Sequence, residues 1–329
     1  MKVRGKGIAC MYFGMGNTGK PNPSSAFVEL LEDGTVNVLC GAADIGQGSN
    51  TVLSQIAAQE LGIPLEGVSI ISADTAVTPE SGVSSASRQT YISGNAVRLA
   101  AQDAREQLFA AAAEILNVSP KRLSAKDGSI FLLDRPDHRI SIGEVVTHCW
   151  RKGKVIMGTG NFNPGILPMD EETGQGVPYA TYSYGTQVAE VELDTETGEI
   201  NIIKITAAHD VGKAINPQSV EGQLEGGASM GVGFSLAEEI VLENGRIKNP
   251  NFHEYLIPTA LDMPDFDPVI VEAPEPTGPF GAKGIGEPAT VPVAAAILNA
   301  IADAVGARVK ELPNTAERVF ITLLQRDDK

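Results

Sequence analysis

A chain of 329 residues with 25 Lys+Arg against 41 Asp+Glu carries a formal charge of −16, which excludes the basic footprint needed to meet nucleic acid or an anionic membrane. Its 43% hydrophobic content is enough for one large or two ordinary cores. With no run of about 18 apolar residues and no apolar leader behind the opening MKVRGKG, no membrane span or secretion signal is expected; the widely spaced Cys10, Cys40 and Cys149 predict reduced thiols in a cytoplasmic protein and cannot hold an iron–sulfur cluster alone.

In chain order, Gly14-Met15-Gly16-Asn17-Thr18-Gly19 fits G-x-G-x-x-G after a possible strand over 8–13. Pro21 and Pro23 then deny the helix whose N-terminus would hold a pyrophosphate, so a dinucleotide fold is rejected. Residues 26–31 and 35–40 read as strands around Glu32-Asp33-Gly34. The loop ending in Asp44-Ile45-Gly46-Gln47-Gly48 follows, with Ser49 or Asn50 expected to cap a helix running to about Leu61. A short strand over 68–72, a small-residue loop over 75–90 and a long alanine-rich helix over 95–116 come next. The Gly- and Pro-bearing stretch 161–178 reads as a loop or linker.

The second half repeats the theme. Strands over 187–193 and 199–207 flank Asp194-Thr195-Glu196-Thr197-Gly198, lead into His209-Asp210-Val211-Gly212-Lys213, and precede a helix capped near Asn216-Pro217. One hairpin ends in Asp44-Ile45-Gly46 and the other in Asp210-Val211-Gly212. The expectation is an α+β protein of two related lobes, residues 1–165 and 166–329, with a cofactor between or across them. An extended, Pro-rich segment over 263–281 runs into Phe280-Gly281-Ala282-Lys283-Gly284-Ile285-Gly286-Glu287-Pro288. Pro288 is read as opening a helix over 289–304, which puts Glu287 at the positive end of a helix dipole, where negative charge is favoured. A carboxylate fixed beside a glycine-lined turn suits a general base, and equally a plain helix cap.

Two further segments bear on binding. The glycines and amide of Gly46-Gln47-Gly48 suit a phosphate or a heterocycle edge, or an ordinary turn. The hydroxyl-rich Ser81-Gly82-Val83-Ser84-Ser85-Ala86-Ser87 offers donors to a polyanion, or is a surface loop. No Ser/His/Asp order supports a hydrolase triad, and the four histidines lack metal spacing, so any metal is expected to be held by a cofactor.

Taken in order, the Gly46-Gln47-Gly48 loop, the 84–90 loop with Gly94, Asp210-Val211-Gly212 with Asn216-Pro217, Gly222-Gln223-Leu224-Glu225-Gly226-Gly227, and the 283–288 motif resemble the molybdenum hydroxylases of the xanthine dehydrogenase and aldehyde oxidase family. The resemblance runs from about Arg4 to Arg318 and is to the C-terminal part of the family's molybdenum subunit, so the chain is expected to be one of two polypeptides into which that subunit is split. It implies a C-terminal molybdopterin-binding fold, with Glu287 as catalytic base toward the oxygen delivered to an electron-poor carbon. It implies cofactor contacts from Gly46, Gln47, Gly48, Ser85, Ala86, Ser87, Lys283, Gly284, Ile285 and Gly286. The implied cofactor is molybdopterin, in its cytosine dinucleotide form, with molybdenum bearing a terminal sulfido or selenido ligand. Partner chains would be a large molybdopterin subunit completing the site, an iron–sulfur subunit with [2Fe-2S] and an FAD subunit. The expected reaction is hydroxylation of a small N-heterocycle, nicotinate to 6-hydroxynicotinate with NADP as final acceptor. The alternatives are a purine, aldehyde or quinoline-type substrate, or a non-catalytic cofactor-binding or assembly subunit. Where many members have a glutamine near the metal, this chain has Met230.

Overall fold

The computed structural model describes residues 1–327. In chain order the elements are β1 (Lys2–Gly14), β2 (Ser24–Leu30), β3 (Val36–Cys40), α1 (Ser49–Leu61), β4 (Val68–Ser72), α2 (Gly94–Leu116), β5 (Leu123–Lys126), β6 (Ser129–Leu132), β7 (Arg135–Ser141), α3 (Ile142–Arg151), β8 (Met157–Phe162), β9 (Tyr182–Asp194), β10 (Ile200–Asp210), α4 (Pro217–Leu236), β11 (Leu242–Glu243), β12 (Arg246–Ile247), β13 (Asp265–Val271), α5 (Val293–Val305) and α6 (Ala316–Asp327). They fall into two units: residues 14–181 with 274–284, and residues 1–13 with 182–273 and everything from Ile285 onward.

In the first unit β2 and β3 pair antiparallel around the Glu32-Asp33-Gly34 turn, where Gly34 takes φ +86° and the Asp33 carboxylate accepts from Thr35 N at 2.9 Å. The chain then crosses through α1 and returns as β4, parallel to β3 with Val36 opposite Val68. β8 closes the other edge, antiparallel to β2, giving the order β4-β3-β2-β8. Alternate residues of β2 are fully buried, because one face of the pleat lies under α2. A separate β5-β6-β7 sheet precedes α3, whose start is fixed by a capping box of Ser141 and Glu144.

The second unit has the same plan. β9 and β10 pair antiparallel, α4 makes the crossover, and β13 returns parallel to β10, in a sheet ordered β1-β9-β10-β13. Its core is built by Ala189, Val191 and Leu193 of β9 with Ala296, Ile297, Ala300 and Ile301 of α5. The likeness extends to how each edge strand meets its helix. Gly158 and Gly160 of β8 lie against Ala96, Ala100 and Ala104 of α2; Gly5 and Gly7 of β1 lie against Ala296, Ala300 and Ala304 of α5. A Cβ at any of the four glycines would come under 3.0 Å from helix backbone. Residues i and i+2 share a strand face and residues i and i+4 a helix face, so a G-x-G pair on an alanine ridge lets backbone meet backbone.

The division differs from lobes 1–165 and 166–329. β1 leaves the first half because it adds to the edge of β9. Residues 274–284 return to the first unit because Asn95 Nδ2 donates to Thr277 O at 2.8 Å, Gly94 packs on Pro279, and the Arg98 guanidinium stacks 4.6 Å from the Phe280 ring centroid. Two helix starts also differ. Ser49 and Asn50 lie within α1; its N-cap is Gly48, at φ +80°. The helix expected over 289–304 begins at Val293, preceded by a single 3₁₀ turn over Glu287–Ala289, because the Pro292 ring has no N–H to give and clashes with the carbonyl four residues back. The stretch 287–305 is long and apolar enough by composition to cross a membrane, but half of it is buried, as in a core helix.

Candidate functional site

In the first unit, three of the predicted segments meet. The carbonyl of Ala43, at the head of the Gly-Gln-Gly loop, accepts from Ser84 Oγ at 2.6 Å and from Gln47 Nε2 at 3.1 Å. Gln89 Nε2 donates to the same Ser84 hydroxyl at 2.8 Å, and Gly16 N donates to Ala86 O at 3.0 Å, which brings the Gly14–Gly19 loop into the cluster. That loop is followed by turns and β2 rather than a helix, as its prolines require. The Gln47 amide is engaged within its own loop, accepting from Ile45 N at 2.6 Å and donating to Ser49 Oγ at 3.0 Å as well as to Ala43. Gly46 takes φ +105°, with open space where a Cβ would stand, and is exposed together with Ile45.

The turn is organised by Asp44. Its carboxylate accepts from Gly46 N at 2.9 Å, Gly48 N at 3.4 Å and Asn50 N at 3.0 Å, and so does the capping that Ser49 and Asn50 do not. Burial pushes the Asp44 carboxyl up, but the bonds from Asn50, Gly46 and Gly48 hold it below the usual carboxylate range.

The serine-rich loop is strained and anchored from below. Ala86 and Ser87 take φ of +53° and +51°, the left-handed region that non-glycine residues avoid and that functional loops retain when their surroundings enforce it. Arg88, 1% exposed, supplies that enforcement: Nη1 donates to the carbonyls of Ser81 and Val83, and Nη2 to those of Asn22 and Pro23. Burial pushes the guanidinium's pKa down, and Arg88 Nε is buried with no hydrogen-bond partner in the protein. A buried cation facing carbonyl dipoles rather than a bonded carboxylate leaves positive potential beneath the loop.

The 274–284 segment completes this cluster. Lys283 is buried, and Gly284 runs directly against the loop: a Cβ on it would stand 1.8 Å from Ser87 O. Glu275, behind it, accepts from Thr181 and Thr277 hydroxyls.

The chain passes into the second unit between Gly284 and Ile285. Ile285 packs on the small cluster of Val211, Val220, Leu224 and Ala289. Gly286 precedes the 3₁₀ turn, in which Glu287 O accepts from Thr290 N at 3.0 Å and Gly286 O from Ala289 N at 3.3 Å. Glu287 is exposed, while Pro288 and Ala289 beside it are buried. The Asp210-Val211-Gly212 loop closes through Gly212 N on Asp210 Oδ1 at 2.9 Å, and Asn216 caps α4 through Ser219 N at 3.1 Å. Met230 lies on α4, 56% exposed.

The first unit thus gathers Gly46, Gln47, Gly48, Ser85, Ala86, Ser87, Lys283 and Gly284; Ile285, Gly286 and Glu287 belong to the second. Asp44 and Arg88 were not singled out from sequence. Asp44 left a signal, an acidic residue just before a Gly-x-Gly turn; an arginine after a serine run left none. Among the described residues no three His, Cys, Asp or Glu side chains gather as a metal-ligand set.

Residues 1–264 match the molybdopterin cofactor-binding domain family. The chain is 34% identical over 326 residues to a putative xanthine dehydrogenase molybdenum-binding subunit of Escherichia coli K12, covering 96% of this chain and 42% of that protein. It is 35% identical over 297 residues to the gamma subunit of the 6-hydroxypseudooxynicotine dehydrogenase complex of Paenarthrobacter nicotinovorans, covering 89% and 36%. Among solved structures, quinoline 2-oxidoreductase of Pseudomonas putida 86 superposes with a TM-score of 0.89 at 28% identity, over 98% of this chain and 42% of that one. The chain therefore spans about two fifths of the length of these relatives.

Proposed function

This chain belongs to the molybdenum hydroxylase family, as the C-terminal part of its molybdopterin-binding subunit, and from that premise we propose that it carries half of a cofactor site and the catalytic base for hydroxylating an electron-poor ring carbon. The observation that carries the reading is the meeting of the Gly-Gln-Gly loop, the strained Ser85–Ser87 loop and Gly284 within one unit, over the buried Arg88. The residues present fit a pterin bearing phosphate. A left-handed backbone suits the presentation of N–H groups to an anion, the buried Arg88 charge anchors the loop from residues 81, 83, 22 and 23, and backbone-to-backbone contact at Gly284 admits no side chain.

Gly46, Gly48, Ser85, Ala86, Ser87, Lys283 and Gly284 would hold the cofactor, with Ile285 and Gly286 bringing backbone close to it. Gln47, its amide tied to the loop, acts chiefly by fixing loop shape. When bound, molybdopterin supplies the two-electron oxidation and the oxygen transfer. Glu287 Oε takes the proton from the water-derived oxygen as that oxygen attacks carbon. Along the chain only Ile285 and Gly286 separate Glu287 from Gly284.

For the substrate we propose a small N-heteroaromatic acid, nicotinate, converted to 6-hydroxynicotinate with NADP as final acceptor. Relatives named for nicotine, quinoline and xanthine support attack beside a ring nitrogen, while one named for aldehydes keeps that class as the second reading. The cytosine dinucleotide form of the pterin, a sulfido or selenido ligand, a large molybdopterin subunit, and [2Fe-2S] and FAD on partner chains are parts of the same proposal. Purifying the chain with whatever it assembles with, then measuring molybdenum, pterin nucleotide, iron and flavin, tests it. Molybdenum and pterin near one per assembly, and turnover of nicotinate above purines, aldehydes and quinoline, are expected. An assembly without pterin refutes the reading; turnover of aldehydes alone refutes the substrate.

A further inference from the structure

The turn that bears Glu287 is gripped by a buried polar pair. Gln187 of β9 and His209 of β10 are both fully buried. Gln187 stands opposite Ala207 and His209 opposite Gly185, so the two are diagonal neighbours on one face of the hairpin. Gln187 Nε2 lies 2.7 Å from the carbonyl of Ala289 and 3.1 Å from His209 Nε2. The Ala289 carbonyl can only accept, which fixes the amide nitrogen toward it. The second amide hydrogen goes to the imidazole, so His209 Nε2 accepts and the ring carries its proton on Nδ1. Gly185 makes room for that ring: a Cβ there would stand 2.5 Å from Cε1. From the helix side, Gly227 of α4 closes on the same turn, a Cβ there falling 3.1 Å from Ala289 C and 3.2 Å from Thr290 Oγ1.

As a stabilising device this is a poor choice. Gln187 Oε1 and His209 Nδ1 are buried without protein partners, and an apolar pair on this face would avoid that cost. What the polar pair gives is direction: a single donor aimed at the last residue of the 3₁₀ turn whose first residue is Glu287.

We propose that Gln187, oriented by His209, is the positioning residue of the Glu287 turn, fixing through the Ala289 carbonyl where the carboxylate points. The proposal rests on Glu287 being the base. Its test is hydrogen exchange on the purified assembly with Gln187→Met, which keeps length and volume but has no donor. Exchange should rise roughly 5–10-fold, the worth of one hydrogen bond, at the amides of Ala289, Thr290, Val291 and Val293 and not in β9 or β10. At equal molybdenum content, kcat should fall about 10–100-fold with KM unchanged, as expected when a catalytic group is misplaced by about an ångström. Unchanged exchange over 289–293 overturns the positioning role. So does an unchanged kcat where Glu287→Gln, assayed beside it, is slow. If Glu287→Gln itself turns over normally while Gln187→Met loosens the turn, it is the assignment of Glu287 that fails. Should Gln187→Met not assemble, His209→Leu, which leaves the Gln187 amide in place but unanchored, is read by the same exchange and kcat criteria.

Discussion

Gly284→Ala tests whether the Gly284 segment and the serine-rich loop form one rigid surface. The added methyl would stand 1.8 Å from Ser87 O, and carbon atoms of this kind almost never come within 3.0 Å. The two backbones must therefore part by at least about 1.2 Å. Neither side yields cheaply. Ser87 is already at φ +51°, its neighbour Arg88 is bonded to four carbonyls, and Lys283 on the other side is buried. Overpacking of this kind costs about 1–3 kcal/mol. A shift near 1 Å at a site of this type lowers turnover by about 100-fold. The assay is the molybdenum and pterin content of the purified assembly, with turnover per molybdenum and the melting temperature beside it. We expect reduced cofactor content, turnover per molybdenum down about 100-fold, and a lower melting point. Full cofactor content with unchanged turnover would refute the reasoning, since it would mean the loop is not part of the cofactor's seat.

Three further outcomes follow from the same structure. Gly7→Ala places a methyl against the α5 backbone at Ala296 and Ala300 and should cost at least about 1–3 kcal/mol in a thermal melt, whereas Gly165→Ala, with nothing within 4 Å, should be neutral. Arg88→Met strips four carbonyls of their donor, those of Ser81 and Asn22 buried, and should lower stability by roughly 2–5 kcal/mol, read as a urea midpoint shift. Burial pushes His209 down to about 4 from its ordinary 6.5. The unfolded chain then binds the extra proton first as pH falls, so stability is complete above about 6.5 and declines toward pH 4 by about 3 kcal/mol; urea midpoints across that range should show a slope that His209→Gln flattens.

Much of this architecture is local and could be read along the chain. The β2–β3 and β9–β10 hairpins announce themselves by branched residues around Asp-Gly and Thr-Gly turns, and Asn216-Pro217 by the chemistry of a helix start. The pairing of Asp44-Ile45-Gly46 with Asp210-Val211-Gly212 does mark a structural repeat, since each follows a hairpin and precedes a crossover helix with a parallel return strand. What escaped depends on distant partners. β1 joins a sheet whose other strands begin about 170 residues later, and the G-x-G pairs of β1 and β8 mean nothing until the alanine ridges of α5 and α2 are seen beneath them. Pro288 looked like a helix start because its own geometry allows one, but Pro292 sets the true start four residues on. At the candidate site the glycines and serines were legible as types. Of the residues that hold them, Asp44 beneath the Gly-Gln-Gly turn left only the signal of an acidic residue before a Gly-x-Gly turn, and Arg88 beneath the serine loop acts on distant backbone carbonyls that no local pattern reveals.

The central claim is that Glu287 serves as the base. The most direct measurement is the rate at which substrate reduces the purified assembly in a single turnover, wild type against Glu287→Gln, at matched molybdenum and pterin content. A fall of roughly 10²–10⁴-fold with cofactor retained is predicted; a rate equal to wild type at equal cofactor content would contradict it.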